Sequence, residues 1–285
     1  MRRPSAIQQE ALQMSTLEDL TGVFESLAST QVAKVKGKVE LSKEFFQLLW
    51  SRYASIRIDP AMRITNREPG DGRSDNVFVI ISAEAGLSGN IDQRLIETML
   101  VDYDPKTTDI IVLGTHGANQ LQQRGIAFSR YFQVPPTDKY IDVSPVIACI
   151  IPYRSVVVYY EEYISLGDQG IKKIDLISTM KDMSGDSGEE IVALEDTIFE
   201  PSLDEIADQM EITMMTLTLS QTILESSLAQ AASRFNAMIV AKKRAGELLG
   251  EYLLEYHRAK RSESDRSLRE VMTTLKKKQR MKGAR

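Results

Sequence analysis

The chain has 285 residues, 35 basic against 40 acidic side chains and a net charge of −5, with 42% apolar and 7% aromatic residues. That length gives about two domains at ~150 residues each, and the negative balance argues against a binder held to nucleic acid by bulk positive charge. One cysteine, Cys149, excludes an internal disulfide, and two histidines, His116 and His257, leave little for a zinc site or a histidine relay. No apolar run approaches the ~20 residues of a membrane helix, and no apolar stretch follows Met1-Arg2-Arg3-Pro4 as it would in a secretory signal. The expectation is a protein of a reducing compartment with no membrane span of its own.

The first zone is helical. Between Ser5 and Ser55 there is no proline, and the only glycines are Gly22 and Gly37. Leu17, Leu20, Phe24 and Leu27 recur at spacings of three and four, followed more loosely by Val35, Val39, Phe46 and Leu49. This is a helical stripe. A helix over 12–54 would reach ~65 Å, far beyond an ordinary globular helix.

The middle zone changes period. Val77-Phe78-Val79-Ile80-Ile81 and Ile110-Ile111-Val112-Leu113 are short continuous apolar runs bounded by turn residues, which predicts buried strands. A helix is predicted between them over 92–100, with Leu95, Ile96 and Leu100 on one side. Strand, helix, strand implies a parallel crossover. Val156-Val157-Val158-Tyr159-Tyr160 and 171–177 read as two further strands joined by the turn Gly167-Asp168-Gln169-Gly170. The acidic stretch 181–190 reads as a mobile loop.

The third zone opens at Pro201-Ser202-Leu203-Asp204-Glu205, where Ser202 and Glu205 have the spacing of a capping box. No proline follows up to Lys278. Steps of seven from Leu217 give Leu224, Ala231, Met238, Ala245, Tyr252 and Ala259, all apolar. The offset positions are Gln221, Leu228, Phe235, Lys242, Leu249, Tyr256 and Glu263, with polar interruptions at Gln221, Lys242 and Glu263. A heptad kept this long predicts a left-handed coiled coil, and a helix over 203–278 would reach ~114 Å. Such a stripe cannot be covered by the α/β zone alone and needs a long partner helix. The first zone supplies one, pairing antiparallel because the α/β zone lies between the two in sequence. The predicted fold is α/β: a small Rossmann-like α/β domain inserted between long N- and C-terminal helices that form an antiparallel coiled coil. The zones are 1–70, 71–200 and 201–285.

Catalytic motifs are few. No G-x-x-x-x-G-K-[ST] and no G-x-G-x-x-G occurs. Gly86-Leu87-Ser88-Gly89 follows the first strand as a phosphate loop or a nucleophile turn would, but Ser88 lacks the G-x-S-x-G spacing. Gly114-Thr115-His116-Gly117 follows the second strand in the same way, with no acidic or nucleophilic neighbour signalled for His116. Turn geometry is the simpler account of Gly86, Gly89, Gly114 and Gly117. Glu161-Glu162 could work as an acid/base pair, but neighbours on a strand point to opposite faces, so both read as surface. The tail 276–285 carries six positive charges and no negative one. It suits either an acidic partner or simply the negative end of a helix. No catalytic residue, cofactor site or metal site is predicted.

These residues resemble one family, the γ subunit of F-type ATP synthases, the central rotor shaft. Phe199-Glu200-Pro201-Ser202 resembles that family's F-E-P-S before its last helix. Residues 224–238, LESSLAQAASRFNAM, look like its L-E-S-x-A-S-E-H-A-A-R-M-x-A-M. Ala245-Gly246-Glu247-Leu248-Leu249 and Tyr256-His257-Arg258-Ala259-Lys260 are similar to its A-x-x-L-I and Y-N-K-A-R. Residues 84–89 resemble its S-D-R-G-L-C-G turn, 111–117 its I-x-x-G-x-K-G, and 21–29 its T-x-A-M-x-M-V-A-A. Departures fall at Glu84-Ala85, Thr30-Gln31-Val32-Ala33 and 261–267, and the basic tail extends past Met272, where the family usually stops. These are the marks of a divergent or alternative F-type ATPase. The resemblance implies a shaft inside a hexamer of α and β subunits, with the ε subunit and the membrane ring as further partners and catalysis on α and β. It implies no partner nucleic acid and a peripheral place on the cytoplasmic face of a bacterial inner membrane. Arg258, Lys260, Arg261 and Arg266 are the expected polar contacts with α and β. The alternatives are a coiled-coil adaptor with an α/β head, which would form a symmetric homodimer, and a hydrolase or nucleotide-dependent enzyme, which would bind ligand alone.

Overall fold

The computed structural model describes residues 2–55, 76–134, 141–176 and 203–282. The chain divides into two compact units, one of Met1–Ser26 with Met238–Arg285 and one of Leu27–Ala237. Helices α1 (Pro4–Ser55) and α5 (Leu203–Lys282) contribute to both. The predicted capping box at Ser202 and the 181–190 loop lie outside the described residues.

The second unit is built on a sheet. Strand β1 (Asn76–Ile81) is followed by α2 (Ile91–Asp102), β2 (Thr108–Leu113), α3 (Thr115–Gln123), β3 (Arg130–Phe132), α4 (Ser144–Ile150), β4 (Ser155–Tyr163) and β5 (Gln169–Asp175). The sheet order is β3-β2-β1-β4-β5. β1 pairs parallel with both β2 and β4, β2 pairs parallel with β3, and only β5 is antiparallel, on β4. The hairpin between β4 and β5 closes through reciprocal backbone bonds of Ser165 and Asp168. That sets the turn two residues before the Gly167 start read from sequence.

Both faces of the sheet are covered, which is why its central strands are apolar without alternation. Val77, Val79 and Ile81 of β1 join Val156, Val158 and Tyr160 of β4 in one core with Val146, Ile147 and Ile150 of α4, Leu219, Ile223 and Leu228 of α5, and Val35 and Val39 of α1. Phe78, Ile80 and Tyr159 point the other way, onto Leu95, Ile96 and Met99 of α2 and Leu121 of α3. Side chains of alternate residues thus feed separate layers. The short elements α3, β3 and α4 have no counterpart among the predicted elements. Each is too short for a periodic signal, although Pro145 occupies the first turn of α4, where its missing N–H costs nothing.

Both helices keep a heptad, on α5 along the line read from sequence and on α1 only in part along it. Along α1 the buried residues Ile7, Ala11, Ala28, Val35 and Val39 fall on one line with the half-buried Met14, Glu18, Thr21, Glu25 and Val32. Their spacing alternates four and three, the mark of a coiled-coil seam. The larger apolar residues Leu17, Leu20, Phe24 and Leu27 lie beside that seam and are 39–57% exposed. The later stripe residues Val35 and Val39 are buried on the seam as expected, and the side chains of Phe46 and Leu49 lie outside the described residues. From Glu18 to Ala28 the seam takes small and polar residues, and the large ones remain outside it. On α5 the predicted line holds. Leu224, Ala231, Met238 and Ala245 are buried, and Leu217, Tyr252 and Ala259 are half-buried.

In the first unit α1 and α5 run antiparallel. Lys242 Nζ donates to Glu25 Oε2 at 3.0 Å, while Gly246 faces Glu18, seven residues earlier on α1. Glu18, Glu25 and Lys242 make this stretch of the seam polar. The ion pair is largely solvated, so Lys242→Ala is expected to change stability by less than about 1 kcal/mol in chemical denaturation. From 263 to 277 every side chain of α5 is exposed, including Leu268, Val271, Met272 and Leu275, which fall at i, i+3, i+4 and i+7.

Candidate functional site

Open parallel sheets bind ligands at the carboxyl ends of their strands, where the strand order reverses. Here the chain runs outward from β1 through β2 to β3 and then returns to the other side of β1 with β4. The crevice beyond β1 and β4 is therefore where a small molecule would sit. In this fold α5 occupies it.

Three segments meet at this place. The first is the turn after β1. Ser88 Oγ donates to Asp92 Oδ2 at 3.0 Å, and the Ala83 N–H donates to Asp92 Oδ1 at 2.8 Å. Asp92 opens α2 and is only 3% exposed. The turn after β2 is the second. Its Gly114 has φ +100°, and a Cβ there would fall 2.2 Å from the Ser82 carbonyl oxygen. A Cβ on Gly117 would fall 2.5 Å from Ser82 Oγ, to which the Gly117 N–H donates at 2.9 Å. Gly89 also has positive φ, at +70°, and Gly86 lies against the His116 ring. The two glycine-containing turns meet at contact distance where Gly86 lies against His116, and a hollow of about 460 Å³ lies beside the first of them, lined by Gln31, Glu84, Ala85, Gln133, Gln230 and Arg234.

α5 forms the third segment. Ser226 Oγ lies 3.4 Å from the Ile81 carbonyl oxygen and 3.5 Å from Glu161 Oε2, and it accepts from Gln230 Nε2 at 3.1 Å. Ser233 Oγ donates to the Ser88 carbonyl at 2.7 Å. Arg234 donates from Nε to the Gly86 carbonyl (3.1 Å) and from Nη2 to the Ala85 carbonyl (3.0 Å), with a longer bond from Nη1 to Gln31 Oε1 (3.4 Å). Burial pulls the guanidinium pKa down, while Asp92 and Glu161 push it back up; an arginine stays charged in either case. One helix thus satisfies, from its own side chains, carbonyl groups that a bound ligand would otherwise meet.

Two sequence expectations change here. Glu161 is fully buried rather than at the surface. Ile80 pairs with Tyr159, so Glu161 lies just past the end of β1 on the side of Tyr159, under α5. Glu162 does point outward and receives Lys172 Nζ at 2.7 Å. His116 also has an acidic neighbour, Asp92, at 3.5 Å from Nδ1. Ser88, His116 and Asp92 do not form a Ser–His–Asp relay, because the Ser88 hydroxyl donates to Asp92 rather than to the His116 imidazole, and Ser88 is itself buried. No local sequence pattern marks Asp92, Glu161, Ser226, Gln230 and Arg234 as a set, because three separate elements, α2, β4 and α5, bring them together.

Arg258, Lys260, Arg261 and Arg266 are exposed on α5 in the first unit. Lys260 Nζ sits 5.7 Å from the Tyr256 ring centroid, and Arg266 pairs with Glu270 one turn on at 3.2 Å. Among the described residues no group of three or more His, Cys, Asp or Glu side chains could hold a metal ion, and no helix is long and apolar enough to cross a membrane.

Comparison with known proteins gives one consistent result. A family model described as ATP synthase matches residues 5–276. The ATP synthase gamma chain of Mycoplasmoides gallisepticum is 24% identical over 268 residues, covering 89% of this chain and 92% of that one. The gamma chain of Halothermothrix orenii is 24% identical over 274 residues, covering 90% and 92%. A chain of the Euglena gracilis mitochondrial ATP synthase, solved with OSCP, F1 and c-ring in rotational state 3, superposes with a TM-score of 0.65 at 12% identity over 95% of this chain and 94% of its own. A chain of the Tetrahymena thermophila mitochondrial central stalk and c-ring gives 0.53 at 15% identity, over 78% and 99%. The solved structures share the fold of two long helices around a five-stranded α/β sheet. The family match runs through every zone of the sequence, so the chain belongs to the ATP synthase γ-chain family.

Proposed function

We propose that this chain is the central-stalk rotor subunit of an F-type ATP synthase. It turns with the membrane ring inside a hexamer of α and β subunits and couples ion flow, of protons or sodium, to ATP synthesis or hydrolysis on them. The observation that carries the reading is the family match through residues 5–276, which includes both long helices and leaves the adaptor and enzyme alternatives without comparable support. The surface fits. The large apolar residues beside the α1 seam, and Leu268, Val271, Met272 and Leu275 on α5, are exposed in the chain alone and call for a protein partner to cover them. A ligand crevice filled by the chain's own helix suits a mechanical part, with the chemistry carried out on other subunits.

On this reading the zones 1–70 and 201–285 form the shaft, and 71–200 is the α/β domain, adjoining the ε subunit and the ring. The complex sits on the cytoplasmic face of a bacterial inner membrane, with this subunit peripheral. Arg258, Lys260, Arg261 and Arg266 are the polar contacts with α and β.

The test is assembly. The tagged chain, purified from its own cells in gentle detergent, should carry α and β subunits near three copies each and hydrolyse ATP. Recovery alone or as a homodimer would remove the reading. Reversing the four basic residues to Glu should weaken association with α and β about tenfold or more, because like charges across an interface repel. Far-UV circular dichroism should stay unchanged. Unaltered association would return these residues to ordinary solvated charges.

A further inference from the structure

Glu161 is a buried acid for which the rotor reading has no use. Its side chain is fully buried, yet Oε1 has no hydrogen-bond partner. Oε2 lies 3.5 Å from Ser226 Oγ, and the single proton of that hydroxyl has a second acceptor in the Ile81 carbonyl. Gln230 and Asp92 are also within hydrogen-bonding reach of Glu161, and Asp92 is another buried carboxyl group. Two carboxylates are both pure acceptors and repel each other. A proton between them removes one charge and turns the repulsion into a hydrogen bond.

The surroundings decide which member keeps it. Asp92 accepts the Ala83 N–H and the Ser88 hydroxyl, with His116 Nδ1 at 3.5 Å. Both Asp92 oxygens thus already hold a donor, whereas Glu161 Oε1 holds none. We propose that Asp92 and Glu161 bind one proton between them at neutral pH, carried on Glu161, and that this proton fastens α5 to the end of β4. With the proton in place Glu161 is neutral, and Ser226 and Gln230 can lie over it without water. Without it, a bare carboxylate faces Asp92 in the dry joint, and α5 must lift to admit solvent.

Other charged groups surround the pair on each packed element. Arg234, on α5, acts electrostatically on both carboxyls, but its hydrogen bonds run to Gly86, Ala85 and Gln31. His116 lies on α3. Glu225 of α5 raises the pKa values of Tyr160 and Lys172, and Glu162 is engaged by Lys172 of β5. Burial first, and Asp92 second, push the Glu161 carboxyl well above the ordinary carboxylate range, against the opposing bonds from Gln230 and Ser226. A raised carboxyl pKa means that the folded chain holds a proton the unfolded chain has released. The stabilisation is complete below the ordinary carboxylate range and is lost as pH rises through the raised value.

The proposal does not depend on the rotor reading, and the full-length chain tests it. Infrared difference spectra in D₂O, wild type minus Glu161→Gln, should show the C=O stretch of a protonated carboxyl at pH 7.5, fading at alkaline pH. Asp92→Asn, whose amide can donate to an ionised Glu161, should lose that band at pH 7.5. On moving from pH 6 to 9 the wild type should lose about 3–6 °C more in Tm than Glu161→Gln, whose neutral amide needs no proton. Absence of the band in wild type would overturn the proposal. So would parallel pH slopes for wild type and Glu161→Gln. If Glu161→Gln fails to fold, the difference spectrum of wild type against Asp92→Asn decides the matter by the same band.

Discussion

Gly114→Ala should cost about 3 kcal/mol or more, and refolding yield should fall with it, since that is a large share of the margin by which a domain is stable. Two costs combine. The backbone at φ +100° and ψ 140° lies in a region essentially reserved for glycine. The added Cβ would also stand 2.2 Å from the Ser82 carbonyl oxygen and 2.8 Å from its carbon. Ser82 cannot step aside, because its N–H and its hydroxyl both bond to the Leu113 carbonyl at 2.9 Å. Gly114 is pinned from the other side by its own N–H to Phe132. Gly125 is the internal control. Its φ is +71°, but nothing lies within 4 Å of a Cβ, so Gly125→Ala should cost only the conformational part, about 1 kcal/mol. Urea denaturation of the two variants separates strain from collision. Equal midpoints would show that the turn can open and that the crossing of the two loops is not rigid.

The same crossing shows what a sequence can and cannot convey. The central strands were readable because Val77 to Ile81 and Ile110 to Leu113 are buried on both faces, and continuous apolar runs report that burial directly. The α5 heptad was readable because residues seven apart share one environment from Leu217 to Ala259. The α1 seam was readable only at Val35 and Val39. Hydrophobicity peaks on Leu17, Leu20, Phe24 and Leu27, while burial within the chain falls on Ala11, Thr21, Glu25 and Ala28. Those peaks lie on a face that the chain itself leaves exposed, and periodicity alone cannot say which of two neighbouring stripes faces the chain's own helix. The joint at Glu161 was hidden for another reason. The rule that Glu161 and Glu162 point oppositely holds, but it does not say that one of those directions is closed by a helix 65 residues away at Ser226. Strand order, which creates the crevice, is not a local property of any segment.

Arg234→Ala tests whether that joint is held by charge as well as by packing. The truncation strands the Gly86 and Ala85 carbonyls and removes the cation that acts on Asp92 and Glu161. Bonds from a charged donor contribute about 1.5–3 kcal/mol each, and part of this arginine remains in water. A loss of about 2–3 kcal/mol is therefore expected in chemical denaturation. Arg234→Lys should recover only a fraction, because a single ammonium cannot reproduce the two directed bonds of the planar guanidinium. The decisive comparison is a cycle in the Asp92→Asn, Glu161→Gln background, where neither side chain can carry a negative charge. There the arginine serves only the two carbonyls and Gln31, so Arg234→Ala should cost about 1 kcal/mol less than in wild type. Strict additivity would mean that Arg234 merely caps the turn after β1 and that the carboxyl pair feels no cation. A reduced cost would tie the helix, the turn and the buried acid pair into one unit. α5 would then leave the sheet only by breaking all three together, which is what a helix that transmits torque through the α/β domain requires.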